Sequence, residues 1–369
     1  MKKIGIVTIT GGLNLGNSLQ NYALQVFLRR LGYDPYTLLD RRYCLWYPFQ
    51  WSDFLRVHPI KRTLALAFNI RNFRTHLFDL LSRQDGYLRF NQHLSFAQSH
   101  FVGNQFIQAP GEAFDAFIAG SDQIWNPYYD QPDYMFLTFA PKEKRVSYAA
   151  SFGSDDMPER MSTRYQKLLS DMNVISVREA AGKRIVSELI GRDVPVLADP
   201  TLLLDDADWR AVAKAPHWFS GKAYILTYFL GERSAQLNRV LEQRAKSENV
   251  EIIHILDKDY PNWYGIGPSE FLYLIANAKA VYTDSFHGTV FSILLRTPFI
   301  VCDRVEKGLN AMGSRLDTLL GRFAFVSRRR NSALGYDAVD LYDMDFSSVE
   351  EKLSEERARS AAYLQDALG

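Results

Sequence analysis

The sequence predicts an α/β protein of two doubly wound domains facing a cleft, with a helical, aromatic and basic insertion in the first. Three observations predict it. The chain has 369 residues, more than one hydrophobic core usually serves. Short apolar runs of the kind buried parallel strands show alternate with segments of helical periodicity. The alternation occurs as two successive βαβ series, one on each side of Leu203.

In the first series, Lys3–Thr10 reads as a strand, and Ser18–Leu31 as a helix with Leu19, Tyr22, Ala23, Val26, Phe27 and Leu31 on one stripe and Gly32 at its end. Asp34–Leu39 is a second strand. AFIAG (Ala116–Gly120), VSYAAS (Val146–Ser151), VISV (Val174–Val177) and VPVLAD (Val194–Asp199) follow as short strands, with helical Glu179–Ile190 between the last two. In the second series, strands Ala223–Leu230, Glu251–Leu256, Ala280–Asp284 and Pro298–Asp303 alternate with helices Ser234–Lys246, Ser269–Ala278, Gly288–Leu295 and Ser314–Leu320. The charged segment Ser347–Leu368 reads as a terminal helix. The boundaries that follow are 1–202 for the first domain, with an insertion at about 41–101, 203–346 for the second, and 347–369 for the helix.

Composition narrows the function classes. Apolar residues make up 47% and charged residues 23%, as in a soluble globular enzyme, and the net charge of +1 gives no global field for nucleic acid. Two distant cysteines, Cys44 and Cys302, form neither a disulfide framework nor a zinc site and fit a reducing compartment. MKKIGIVTIT runs into GGLNLGN without a cleavage-site pattern and reads as a strand. No apolar run reaches the ~18–20 residues of a membrane span. A cytoplasmic protein is expected. Residues 41–93 carry nine basic side chains against three acidic ones, beside the aromatic WYPFQW. They are a candidate for peripheral contact with an anionic membrane face or a lipid-linked substrate. The plainer reading packs these aromatics on the first sheet.

Four stretches carry candidate chemistry. GGLNLGN lies between a strand and a helix, but Leu13 stands where a dinucleotide fingerprint needs its second glycine. That leaves a helix start where Asn14, Asn17 or Gln20 could meet a small or anionic ligand. FIAGSDQIWNP presents Ser121, Asp122, Gln123, Trp125 and Asn126 at a strand end, a set suited to stacking a sugar ring on Trp125 and bonding its hydroxyls; capping and an Asx turn are the plainer reading. SVRE places Arg178 at a strand end, where its planar fork suits carboxylate or phosphate, or a surface ion pair. In YTDSFHGTVFSILL, His287 sits at a strand tip and Gly288 opens a helix whose N–H groups attract anions, with no side chain in a ligand's way. His254, inside EIIHIL, is expected to be a core histidine with a hydrogen-bond partner. The seven histidines show no metal spacing, so no metal is expected.

In order, GGLNLGNSLQNYALQ, AGSDQIWNP, SYAASFG, ISVREAAG, ADPTLLL, GPSEFLYLIANA, TDSFHGTVFSILLRTPF and GSRLDTLL resemble the polysaccharide pyruvyl transferase family over roughly Lys3 to Arg322. The resemblance implies a GT-B-type pair of Rossmann-like domains. It implies transfer of the pyruvyl unit of phosphoenolpyruvate, a co-substrate and not a cofactor, onto two hydroxyls of a sugar, making a ketal and releasing phosphate. The sugar acceptor could be lipid-linked. Many members carry Arg-Leu-His where this chain has Ser285-Phe286-His287; the histidine matches, and Arg315 is the expected substitute for the missing arginine.

On this reading the donor is held by Arg178, Ser285, His287, the Gly288 N–H and Arg315. His287 is general acid or phosphate ligand, Asp122 the base for an acceptor hydroxyl, and Arg178 reaches across the cleft. Asn14, Asn17, Gln20, Ser121, Asp122, Trp125 and Asn126 form the acceptor side. Two alternatives stand beside it: a GT-B glycosyltransferase using a nucleotide sugar, with Glu270 on the ribose, and a non-catalytic carbohydrate-binding protein.

Overall fold

The computed structural model describes residues 1–10, 13–40, 83–129, 131–257, 260–304 and 313–369. Most of the 41–93 segment therefore lies outside the described residues. Two sheets organise the rest. The first has the order β4-β3-β2-β1-β5-β6, from β1 (Lys3–Val7), β2 (Asp34–Asp40), β3 (Phe96–Val102), β4 (Gln105–Ile107), β5 (Ala116–Ala119) and β6 (Arg145–Ser147). All neighbours are parallel except the β3–β4 hairpin. The second, all parallel, has the order β11-β10-β9-β7-β8, from β7 (Tyr224–Tyr228), β8 (Glu251–Ile255), β9 (Ala280–Thr283), β10 (Phe299–Cys302) and β11 (Arg329–Arg330).

The sequence-predicted strands over 174–177 and 194–199 are reduced to isolated bridges. Serine hydroxyls take the backbone groups a ladder would use. Ser147 Oγ donates to Ser176 O (2.9 Å) and accepts from Ser176 N (3.0 Å), while Ser176 Oγ accepts from Ala149 N (3.0 Å). Residues 96–101, read as part of the insertion, are instead β3, paired to β2. Its polar Gln98, Ser99 and His100 hide the strand signal.

The helix Leu15–Arg30 starts at an Asn14 cap, earlier than its apolar stripe indicates. It buries Leu15, Leu19 and Ala23 in one cluster with Trp209, Leu226 and Phe291 of the second series. Each such leucine contributes about 1.5–3 kcal/mol. The helix Val349–Leu368 enters both cores, with Val349 and Leu353 in that same cluster and Leu364 and Leu368 beside Ile4 and Ile6. The strand C-terminal ends of both sheets consequently face one cleft.

His254 is partnered as expected. On β8 it lies opposite Thr227 of β7, whose Oγ1 is 2.6 Å from its Nδ1. Burial, and then Arg233, push its pKa down from 6.5 to about 4. The unfolded chain thus binds the extra proton in this window. The stability His254 contributes is whole above pH 6.5 and is lost as pH falls towards 4. His254→Gln should flatten that part of the curve, seen as a smaller drop in Tm between pH 7 and 4 than in the parent protein.

Candidate functional site

A cavity of about 450 Å³ opens between the two sheets. The first unit lines it with Thr8, Thr10, Asn14, Asn17, Asp40, Asp122, Gln123, Tyr129 and Tyr134, and the second with Tyr228, Ser285, Phe286, His287, Arg304 and Arg315. Of the sequence-predicted residues, Asn14, Asn17, Asp122, Ser285, His287 and Arg315 thus meet in one space. Among the described residues, no three His, Cys, Asp or Glu side chains are grouped to hold a metal ion, and no helix is long and apolar enough to cross a membrane.

His287 lies within the first turn of the helix Phe286–Leu294, not ahead of it, because Ser285 is the cap. Ser285 Oγ accepts from Gly288 N at 3.4 Å, so that N–H is already engaged. Nor does Gly288 admit a ligand: a Cβ there would meet Thr283 Oγ1 and Tyr228, so the glycine serves helix-on-strand packing. A different glycine makes room for the imidazole. A Cβ on Gly16, in the opposing Leu15–Arg30 helix, would overlap His287 Nδ1. The ring Nε2 faces the other way, 3.7 Å from Asp199 Oδ2.

Asp122 adopts a left-handed conformation (φ 65°), a strained state for a non-glycine residue. Its Oδ1 accepts from Gln123 N at 2.8 Å and lies 3.7 Å from Arg178 Nη2. Arg178 is 3% exposed and does not line the cavity. It donates from Nη1 to Asp199 at 2.6 Å, lies 3.8 Å from Glu179, and stacks 4.5 Å over the Phe286 ring. Burial opposes its charge, but these carboxylates outweigh it and raise its pKa. Arg178 does cross to the second unit, through Phe286, but as a partnered cation with no edge on the cavity. The donor-binding role expected of it is corrected accordingly.

The acceptor set is corrected too. Trp125 is fully buried, stacked on Phe136 at 5.1 Å and 4°, with Nε1 donating to Met135 O; no face remains for a sugar. Asn126 is buried, its amide used by Gln123 and Tyr128 N. Ser121 Oγ donates to Ala149 O at 2.6 Å, and buried Gln20 ties Thr8 to Ser121 N. These four residues build the wall behind Asp122. For the nucleotide-sugar alternative, Glu270 is occupied: one oxygen pairs with Arg89 at 3.0 Å and the other caps its own helix at Gly267 N.

Arg315 is buried, and burial followed by the nearby Arg178 pushes its pKa down to about 10. With its amide turned, Gln123 accepts from Arg315 Nη1 at 2.9 Å and Nη2 at 3.2 Å. Sequence reasoning did not single out Arg304 or Tyr129, which also line the cavity. Arg304 lies two residues past the end of β10, at a strand end as informative as that of His287. Its Nε lies 3.3 Å from Asp284 Oδ2, and Asp284 in turn accepts from Leu230 N and Gly231 N. Asp40 ends β2 and accepts from Tyr134 OH at 2.9 Å.

Two Rossmann-like units closing on a ligand-sized cleft at their strand ends define a GT-B-like protein. The chain matches the family model for polysaccharide pyruvyl transferase over residues 14–304 and belongs to that family. No curated protein sequence matches it. Among solved structures it is similar to a candidate UDP-N-acetylglucosamine 2-epimerase from Listeria monocytogenes, at 10% identity and a TM-score of 0.52, covering 99% of this chain and 95% of that one. A UDP-N-acetylglucosamine 2-epimerase from Neisseria meningitidis (8%, TM-score 0.48, 100% and 99%) and a Streptomyces sp. SF2575 glycosyltransferase with thymidine diphosphate (14%, 0.38, 98% and 96%) are also similar. At these identities the likeness describes the fold alone.

Gly16→Ala should displace the imidazole while the rest of the helix is kept. An ångström of misplacement costs about a hundredfold in turnover. Steady-state kinetics with a melting curve checks this; an unchanged rate would mean the ring position is irrelevant.

Proposed function

We propose that the cleft transfers the pyruvyl group of phosphoenolpyruvate to two hydroxyls of one sugar as a ketal, with release of phosphate. The observation that carries this reading is that one cavity gathers His287, Asp122 and Arg304 from near the strand ends of both sheets with Arg315 from the start of the helix Ser314–Phe323. The donor bears a phosphate and a carboxylate. Guanidinium groups suit both, and the Asn14- and Ser285-capped helix starts bring positive dipole ends to the same cavity from its two sides. Arg304, held against Asp284 next to Ser285, supplies charge where many family members carry their arginine, and Arg315 adds a second cation.

The reaction needs a proton on the donor's methylene carbon and attack by a sugar hydroxyl on the adjacent carbon. His287 as imidazolium gives the first proton, and Asp122 takes the proton of the attacking hydroxyl. A second hydroxyl then displaces phosphate, which leaves with that hydroxyl's proton, so one diol and one enolpyruvate yield one ketal and one phosphate. On the acceptor side Tyr129, 39% exposed on the cavity rim, takes the stacking role that Trp125 does not fill. Asp40 and Asn17 offer partners to sugar hydroxyls. A lipid-linked acceptor would carry its lipid on the aglycone, outside this sugar-binding wall.

Incubation with phosphoenolpyruvate and a panel of sugars should release phosphate and add a pyruvyl mass to one of them. Turnover with a nucleotide sugar instead would replace this reading by glycosyl transfer. Arg304→Ala and Arg315→Ala should each raise the KM for phosphoenolpyruvate about ten- to a hundredfold, the worth of a hydrogen bond to a charged group. Tyr129→Ala should raise the acceptor KM about tenfold and leave the donor KM within about twofold.

A further inference from the structure

We propose that Asp199 is a positioning residue that holds His287 across the cleft with its proton on Nε2, so that Nδ1 is the ring nitrogen presented to ligand. Asp199 belongs to the first unit and His287 to the second. The carboxylate is buried, and most of its accepting capacity goes into holding it still. Oδ1 accepts from Thr201 N at 3.0 Å and from Thr201 Oγ1 at 2.7 Å, in the turn that Asp199 caps. Oδ2 accepts from Arg178 Nη1 at 2.6 Å. What remains of Oδ2 faces His287 Nε2, at 3.7 Å.

That nitrogen is buried and has no hydrogen-bond partner in this state. A buried imidazole nitrogen against a carboxylate is strongly favoured as a donor, since a lone pair facing it would be repelled. The opposite edge, Nδ1, lies over Gly16 on the wall where Asn14 and Asn17 line the cavity. Asp199 is itself ionised: burial works to raise its pKa, but His287, Arg178 and Thr201 hold it well below the ordinary carboxylate range. The two atoms, 3.7 Å apart, need to approach by about 0.9 Å to reach the ~2.8 Å of a charged hydrogen bond, so a small closure of the cleft completes it.

The consequence for chemistry is a separation of duties on one ring. Nε2 is committed to orientation and Nδ1 is left for proton exchange or phosphate contact. Arg178 then has a role without touching ligand, since it fixes the carboxylate that fixes the imidazole. It also explains why an arginine with three acidic neighbours lies directly behind the cavity wall.

The test is the histidine tautomer, read from two-bond proton–nitrogen spectra of the full chain labelled with ¹⁵N-histidine above pH 7, the His287 signals being assigned by their loss in His287→Gln. The parent protein is expected to carry its proton on Nε2. Asp199→Asn, which turns an amide donor towards the ring, is expected to move it to Nδ1. A parent protein with the proton on Nδ1, or an unchanged spectrum in a folded Asp199→Asn, overturns the proposal; the first result needs no variant to fold. A kinetic arm rests on the pyruvyl-transfer reading: Asp199→Asn should lower kcat about a hundredfold or more and leave the KM for phosphoenolpyruvate within about threefold. If no phosphoenolpyruvate turnover exists in the parent protein, that reading fails while the spectrum still decides the tautomer.

Discussion

The buried ion cluster around Arg178 is the constraint on which the rest of the site depends. One guanidinium from the first unit pairs with Asp199, approaches Asp122 and Glu179, and lays its face on Phe286 of the second. A buried cation is strongly disfavoured unless carboxylates surround it, and buried carboxylates are disfavoured without the cation. Each member therefore fixes the others. Asp122 at the cavity wall and His287 opposite Asp199 inherit their positions from this cluster, which contributes no atom of its own to the cavity through Arg178.

This arrangement divides the charged groups by task. Arg178 is committed to carboxylates, whereas Arg304 and Arg315 reach the cavity. Arg304 is braced by Asp284, whose other bonds tie down the Leu230–Gly231 turn after β7. Burial depresses the pKa of Arg315, yet at about 10 it stays protonated at neutral pH. The cavity therefore pairs a cationic wall from the second unit with a carboxylate and aromatic wall from the first, an arrangement that suits the proposed reaction between an anion and a polyol.

Long periodic segments made the fold legible in the sequence. The apolar runs of β7 to β10 and the stripe of Leu19, Ala23 and Phe27 specify elements whose type tertiary packing does not overturn. Where polar side chains compete for the backbone the signal is lost, as at Ser147 and Ser176, and at β3. For the site, strand ends pointed to Asp122, Ser285 and His287, which line the cavity because backbone topology alone puts them at a cleft. Exposure was not legible. Whether the indole of Trp125 faces a sugar or Phe136 depends on the chain around 134–136, about ten residues on. Arg304 carries a readable signal, its place two residues past the end of β10, as strong as the one that points to His287.

The Phe286 ring has one more implication. It carries Arg178 on one unit at 4.5 Å and Arg315 of its own at 5.9 Å, away from solvent. The Arg178 contact is buried off the cavity and, unlike ion pairs on a protein's surface, is little screened by dissolved ions. The apposition of the two halves, which also rests on the apolar cluster that Leu15 and Leu19 share with Trp209 and Phe291, should consequently depend little on ionic strength.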